Sequence, residues 1–82
     1  MNDIVERLSL LIETEKITMT WLERQTGIKR KRWYAIKERK VMRTSELEAV
    51  QKIYPEYKVW LSSGMEFPEH GQISPETKEI PK

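Results

Sequence analysis

Cysteine is absent from this 82-residue chain, and histidine occurs once, as His70. Without thiols there is no disulfide, no thiolate chemistry and no cysteine-ligated zinc, a composition that fits the reducing cytoplasm. A single histidine also excludes a multi-histidine metal site. We therefore expect neither a metal nor a cofactor.

Long apolar runs are missing as well. No stretch approaches the roughly 18 apolar residues that a transmembrane helix needs, so we expect no membrane partner. Residues 1–7 lack a basic segment followed by an apolar stretch, and a secretion signal is not expected. Nothing resembles a nucleophile beside a base, a glycine-rich phosphate loop or a metal cluster. We therefore expect no enzyme and no small-molecule substrate.

Charge is abundant in the chain and unevenly placed. Charged residues make up 34% of the sequence and hydrophobic residues 38%, which is typical of a small globular domain. Residues 29–43 carry eight Lys or Arg and one acid, Glu38, a balance of +7 in a chain whose net charge is +2. The remaining residues therefore sum to −5. A concentrated basic segment on a weakly charged protein indicates nucleic acid as the partner.

Helical periodicity runs through most of the chain, and no strand-like alternation of useful length occurs. The apolar spacing and the capping residues predict five helices. The first spans residues 3–15, with Asp3 and Glu6 as a capping box, and the second spans residues 18–25, with Thr18 as N-cap and Gly27 as terminator. The third spans residues 29–38, the fourth opens at Thr44 or Ser45 with Ser45 and Glu48 in capping-box spacing, and a short fifth helix lies between Pro55 and Gly64. Residues 65–82 are rich in proline and poor in apolar side chains. We expect them to form a disordered or loosely packed flexible tail behind a domain of residues 1–64.

The third predicted helix separates its apolar and charged residues. At 100° per residue, Trp33 and Ile36 lie on one side, which we expect to be buried. The opposite side is centred on Lys31, Tyr34, Ala35 and Glu38 and is bordered by Arg30, Arg32, Lys37 and Arg39. The exposed side of this helix is therefore predicted to be the basic one.

Residues 18–28 read TMTWLERQTGI, and the apolar pattern continues at Trp33 and Ile36. This pattern resembles the helix-turn-helix of the phage repressor and Cro family. Residues 32–34, RWY, and residues 54–64, YPEYKVWLSSG, are similar to a subgroup of small phage-type regulators. The resemblance implies a compact, all-α, five-helix fold of the lambda-repressor type. It also implies sequence-specific binding of double-stranded DNA by a prokaryotic or phage transcriptional regulator.

The resemblance assigns roles to individual residues. Arg30 and Lys31 occupy positions that read bases in relatives, and Tyr34 and Ala35 are expected beside them, Ala35 against a thymine methyl group. Phosphate contacts are expected from Thr18, Thr20, Lys29, Arg32, Lys37, Lys40 and Arg43. Relatives bind two-fold symmetric operators, which implies a homodimer. Candidates for its surface are Tyr57, Val59 and Phe67, and the sequence does not distinguish these positions from core positions.

Two positions depart from the family pattern. Glu23 stands where relatives have a small residue, so it must turn outward or pair with a base such as Arg30. Met19 replaces a glutamine that supports a phosphate contact in relatives. Together with Glu38, these residues favour an alternative in which the fold serves as a protein–protein interaction module of antitoxin or antirepressor type. A third hypothesis is RNA binding, for which Tyr34 alone offers an exposed ring.

Overall fold

The computed structural model describes residues 3–79. In this range the helices are α1 (Ile4–Thr14), α2 (Met19–Thr26), α3 (Arg30–Arg39), α4 (Thr44–Ile53), α5 (Lys58–Ser63) and α6 (Pro75–Glu79), with 3-10 turns at Pro55–Tyr57 and Pro68–His70. The predicted all-α class and the first five helices are confirmed. None of these helices has both the length and the apolar character that crossing a bilayer requires.

Hydrogen bonds at the helix ends explain where α1 and α2 begin and end. Before α1, the Asp3 carboxylate accepts the Glu6 N–H (2.8 Å) and the Glu6 carboxylate accepts the Asp3 N–H (3.1 Å), which is the predicted capping box. The Thr18 hydroxyl caps α2 by accepting the Trp21 N–H at 3.1 Å. The helix ends at Gly27, whose φ of +76° lies in the left-handed region.

The start of α4 differs from its prediction. The expected capping box of Ser45 with Glu48 is wrong, because the Glu46 carboxylate instead accepts the Arg43 N–H at 2.8 Å. Two glutamates in this stretch have a suitable position, and the sequence spacing does not distinguish them. Arg32, on α3, donates two hydrogen bonds to the Glu46 carboxylate, and this contact holds Glu46, and not Glu48, at the start of α4.

The hydrophobic core forms where α3 packs against α1 and α2 and where α5 packs against α1 and α4. Trp33 and Ile36 are each 0% exposed, as the periodicity of the third helix predicts. The other buried apolar side chains are Val5, Leu8, Leu11, Ile12, Met19, Leu22, Val50, Tyr57, Trp60 and Leu61. Burying a large apolar side chain stabilises a fold by roughly 2–3 kcal/mol, so Trp33 and Ile36 strongly favour a single rotation of α3 about its axis.

Part of the C-terminal segment is packed, which differs from the loose tail expected over residues 65–82: residues 72–75 are buried or half-buried, whereas residues 65–71 are exposed. The prolines of this segment predict irregular structure. In the fold, Pro68 and Pro75 instead occupy the first positions of a 3-10 turn and of α6. The fixed φ of proline suits a helix start, where its missing N–H costs nothing. Residues 80–82 of the expected tail lie outside the described residues.

Buried and charged contacts hold the C-terminal segment against the rest of the chain. Ser74 is buried, and the neighbouring Ile73 N–H donates to the Glu56 carbonyl oxygen at 2.9 Å. Lys78 lies between two carboxylates, 3.2 Å from that of Glu15 and 3.5 Å from that of Glu56. These contacts join α6 to α1 and to the 3-10 turn that precedes α5.

The hydroxyl of buried Tyr57 lies at the centre of these contacts. It donates to Glu15 at 2.7 Å, and this hydrogen bond is the main cause of the lowered pKa of the Glu15 carboxyl, to which Lys78 adds. Burial, followed by the same hydrogen bond, raises the pKa of Tyr57. The expectation that Tyr57 forms a dimer surface is wrong, because its own chain covers it completely.

Replacing Trp33 with alanine should lower the free energy of unfolding by about 3–5 kcal/mol, because the change leaves a cavity where α3 meets α1 and α2. Urea unfolding followed by circular dichroism measures this loss. The matched control is Tyr34→Ala, which removes a ring that is 59% exposed at the next position and should cost less than about 0.5 kcal/mol. Equal losses for the two variants would contradict the described orientation of α3.

Candidate nucleic-acid interface

A tight connection joins α2 to α3. On either side of Gly27, the Thr26 hydroxyl donates to the Leu22 carbonyl at 2.7 Å and accepts the Ile28 N–H at 3.1 Å. Ile28 is half-buried and packs against the core, so the connection is anchored at both ends. The two helices pack against each other, and α2 therefore fixes the start of α3.

The outer side of α3 is exposed and cationic. Arg30, Tyr34 and Lys37 follow one another at i, i+4 and i+7 and therefore share one side of the helix. Lys31 is exposed next to Arg30. We call the exposed cations of this region the cationic surface, and they are Lys29, Arg30, Lys31, Lys37, Arg39, Lys40 and Arg43. The structure thus places six of the predicted DNA-binding cations on the exterior.

Besides Tyr34, two positions on the predicted exposed side of α3 carry no positive charge. Ala35 is half-buried, so its methyl group offers a small apolar contact beside the exposed Tyr34 ring. Glu38 is exposed, and it is the only acid of α3. The outer side of the helix therefore combines cations with an aromatic ring and a single carboxylate.

Lys40 ends α3 in a conformation that the sequence does not signal. Its φ is +59°, in the left-handed region that favours glycine, and its N–H donates to the Ile36 carbonyl at 2.8 Å. The chain turns here, and Val41 is left 62% exposed. Sequence reasoning missed both features, because neither glycine nor asparagine marks the turn.

Arg32 does not belong to the cationic surface. Its Nε donates to Glu46 Oε2 at 2.5 Å, and its Nη2 donates to Glu46 Oε1 at 3.0 Å. This two-bond contact joins α3 to the first turn of α4, and Glu46 itself is buried. Arg32 was predicted to bind phosphate, but its guanidinium is occupied by a carboxylate of its own chain.

The contact with Arg32 also controls the ionisation of Glu46. Hydrogen bonding to Arg32 lowers the pKa of the Glu46 carboxyl, although burial acts in the opposite direction, and the Arg43 N–H lowers it further. The same contact raises the pKa of Arg32. The pair is therefore held with both groups charged, and Glu46 is an acceptor for two helices at once.

Arg30, in contrast, is tethered and still accessible. Glu23 Oε1 accepts the backbone N–H of Arg30 at 3.2 Å and lies 3.8 Å from its Nε. Arg30 Nη1 donates to Thr20 Oγ1 at 3.3 Å. The predicted pairing of Glu23 with Arg30 is confirmed, and 58% of the Arg30 side chain remains exposed.

The beginning of α2 offers hydroxyl groups and no amide side chain. Thr18 and Thr20 are both exposed, although the Thr18 hydroxyl caps the helix and that of Thr20 accepts from Arg30. Met19 is buried in the core. Its side chain is therefore not available for a phosphate contact.

Comparison with known proteins shows a similarity to a solved structure. No family model matches the sequence, and no curated protein sequence matches it either. Among solved structures, the chain is similar to Pf6r from the filamentous phage Pf6 of Pseudomonas aeruginosa PA01, with 37% sequence identity and a TM-score of 0.78. The alignment covers 92% of this chain and 97% of that protein.

Replacing Glu46 with glutamine should lower the free energy of unfolding at neutral pH by about 1–3 kcal/mol, because Arg32 loses its charged acceptor. The folded state lowers the pKa of this carboxyl, so its contribution is present above the pKa of the unfolded state and is lost as pH falls through the folded value. Urea unfolding between about pH 5 and pH 3 should therefore show a weaker pH dependence in the variant.

The exposed neighbour Glu48 provides the control for this prediction. Glu48→Gln removes the same charge from the same helix without breaking a hydrogen bond that the structure shows, and it should leave the pH dependence close to that of the wild type. Glu15 also has a lowered pKa, so part of the acid dependence should persist in Glu46→Gln. A variant that loses stability on acidification as steeply as the wild type would contradict the role given to Glu46.

Proposed function

This chain belongs to the same family as Pf6r of the filamentous phage Pf6, and we propose that it is a phage regulator that binds double-stranded DNA in a sequence-specific way. In this proposal α2 and α3 form a helix-turn-helix, and α3 lies in the major groove. The observation that supports it most is the complete burial of Trp33 and Ile36 opposite an exposed cationic surface.

The physical properties of duplex DNA fit this surface. The major groove admits one α-helix and displays a different pattern of donors and acceptors for each base pair. The phosphates on either side of the groove attract cations and supply most of the affinity that does not depend on sequence. A helix with cations along its outer side and beyond its end meets both requirements.

The start of α3 is the part proposed to read bases. Arg30 would donate two hydrogen bonds to guanine O6 and N7, and Lys31 would reach a neighbouring base. Tyr34, one turn further along, would contact a base edge, and Ala35 would contact a thymine methyl group. Their positions follow from the exposure of this side of the helix.

Phosphate contacts are proposed for cations and hydroxyl groups around this reading segment. They are Lys29, Lys37, Lys40, Arg43, Thr18 and Thr20, all of which are exposed. Arg32 is removed from this set because Glu46 occupies its guanidinium, and its proposed role is to hold α3 against α4. Contacts with phosphates position a protein on DNA without reading its sequence.

A protein–protein interaction module remains the second candidate, and its support is reduced. Of the residues that favour it, Glu23 is paired with Arg30, and buried Met19 supplies no phosphate contact. Glu38 and the exposed side chain of Val41 are the features that still favour it. The absence of duplex binding by the wild type at low salt would favour this candidate.

RNA binding has less support than duplex binding. Proteins that read single strands stack bases on exposed aromatic rings. On α3 the ring of Tyr34 is exposed, but Trp33 is buried. Trp21 packs against Tyr54, with ring centroids 6.4 Å apart, so it is not a free stacking platform.

A homodimer is part of the proposal because a two-fold symmetric operator presents two half-sites, about one helical turn apart. With Tyr57 buried, the remaining candidates for its surface are Val59, which is half-buried, and Phe67, which is exposed. Selection of bound duplexes from a random pool tests the whole proposal. A preferred symmetric site would support a sequence-specific dimer, and a pool that shows no preference would contradict sequence-specific binding.

Arg30→Ala should weaken binding to the selected duplex by about 1–3 kcal/mol and relax the preference at one base pair. Lys40→Ala should weaken binding to selected and random duplexes by similar factors, because it removes a phosphate contact. Fluorescence anisotropy titration of both variants on both duplexes measures these effects. Equal losses of Arg30→Ala on the two duplexes would contradict the assignment of Arg30 to base reading.

The dependence of binding on salt should be steep. If about five phosphates are neutralised, the logarithm of the association constant should fall with the logarithm of salt concentration at a slope of roughly −4 to −5. Titration of a random duplex at several potassium chloride concentrations measures this slope. Lys40→Ala should reduce its magnitude by about one. A slope near zero would show that the cationic surface does not contact phosphates.

A further inference from the structure

We propose that Glu23 is a positioning residue for DNA recognition, which keeps phosphate away from the start of α3 and directs Arg30 toward a base edge. This inference rests on the proposed function and deepens it. Glu23 lies on α2, and its role depends on contacts within the protein and not on a hydrogen bond to DNA.

The start of α3 lacks a cap of its own. Lys29 is the N-cap residue, but its side chain makes no capping hydrogen bond, and the first turn of the helix contains no acid. That turn carries Arg30, Lys31 and Arg32, and their positive charges lie next to the positive end of the helix dipole, which is unfavourable. A helix start with this much positive charge would normally attract an anion such as a phosphate.

Glu23 supplies the missing anion from the neighbouring helix. Its Oε1 accepts the N–H of Arg30, the first residue of α3, at 3.2 Å. The place that a DNA phosphate would take at this helix end is therefore occupied by a carboxylate of the same chain. A phosphate that approached it would meet a negative charge, which disfavours contacts that are independent of sequence.

The same carboxylate orders the side chain of Arg30. Nε lies 3.8 Å from Glu23 Oε1, and Nη1 donates to Thr20 at 3.3 Å, so two residues of α2 fix the guanidinium. A guanidinium has five N–H donors, and the bond to Thr20 leaves enough of them for a two-bond contact with guanine. Holding the side chain in advance lowers the entropy that binding would otherwise cost.

Both effects act on the ratio between specific and non-specific binding. Repulsion of phosphate weakens binding to every duplex, whereas an ordered Arg30 strengthens binding only where a guanine is correctly placed. A change that merely removes negative charge would tighten binding to all duplexes. Loss of Glu23 should therefore change the affinities for a preferred duplex and for a random duplex in opposite directions. Loss of another acid should raise both affinities.

The experiment compares Glu23→Ala with Glu38→Gln, which removes the exposed acid of α3 without breaking a contact that the structure shows. Affinities are measured by anisotropy on the duplex that the wild type selects from a random pool and on a random duplex. Glu23→Ala should bind the random duplex about threefold more tightly. It should bind the selected duplex about tenfold more weakly. Glu38→Gln should tighten binding to both.

A second variant separates the charge of Glu23 from its hydrogen bond. Glu23→Gln can still accept the Arg30 N–H, so its loss on the selected duplex should be smaller than that of Glu23→Ala, with a similar gain on the random duplex. Thermal unfolding checks that each variant is folded. The side-chain Nε–H signal of Arg30 in NMR spectra should exchange with water faster in Glu23→Ala than in the wild type.

The possible failures are distinct. If the wild type selects no preferred duplex, the proposed function fails and this inference fails with it. If the wild type does select a duplex and Glu23→Ala changes both affinities in the same direction as Glu38→Gln, the proposed function stands. In that case Glu23 contributes charge alone, and its positioning role is refuted.

Discussion

The packing of Trp33 and Ile36 against α1 and α2 determines which way α3 faces. Both side chains are completely buried, and rotating the helix would expose them at a cost of several kcal/mol. The opposite side of the helix must then face solvent, and in this chain that side carries lysine and arginine. Exposure of the cationic surface is thus a consequence of core packing, and every function proposed for that surface depends on these two residues.

Two carboxylates hold two of the arginines of α3 in different environments. Arg32 is joined by two hydrogen bonds to buried Glu46 and holds α3 against α4. Arg30 is tethered by Glu23, but more than half of its side chain stays exposed. Arg30 and Arg32 are only two positions apart. Arg32 pairs with a carboxylate inside the interface between two helices, whereas Arg30 pairs with a carboxylate at the solvent boundary. Lys31, between them, is exposed.

The C-terminal segment shows how proline can mislead a reading of sequence. Pro68 and Pro75 open short helical turns, and the segment is tied to α1 and to the turn before α5 through Lys78 and the Ile73 N–H. Most of this segment does contain few apolar side chains, as the sequence shows. Its attachment includes buried Ser74 and Pro75, the Lys78 ammonium group shared by two carboxylates, and hydrogen bonds of Gln72 and of the Ile73 N–H to residues 55–59. None of these contacts has a periodic signature.

Local sequence patterns were enough to predict the first five helices and the inner side of α3, because the spacing of apolar residues, Asp3 and Thr18 as caps, and Gly27 as terminator act over a few neighbouring positions. The sequence also located the basic segment from charge alone. Long-range packing, in contrast, pairs Arg32 with Glu46, brings Glu46 and not Glu48 to the start of α4 through that pairing, and places the Tyr57 hydroxyl against Glu15. Arg32 and Glu46 are 14 residues apart and Glu15 and Tyr57 are 42 apart, and no local pattern encodes such separations.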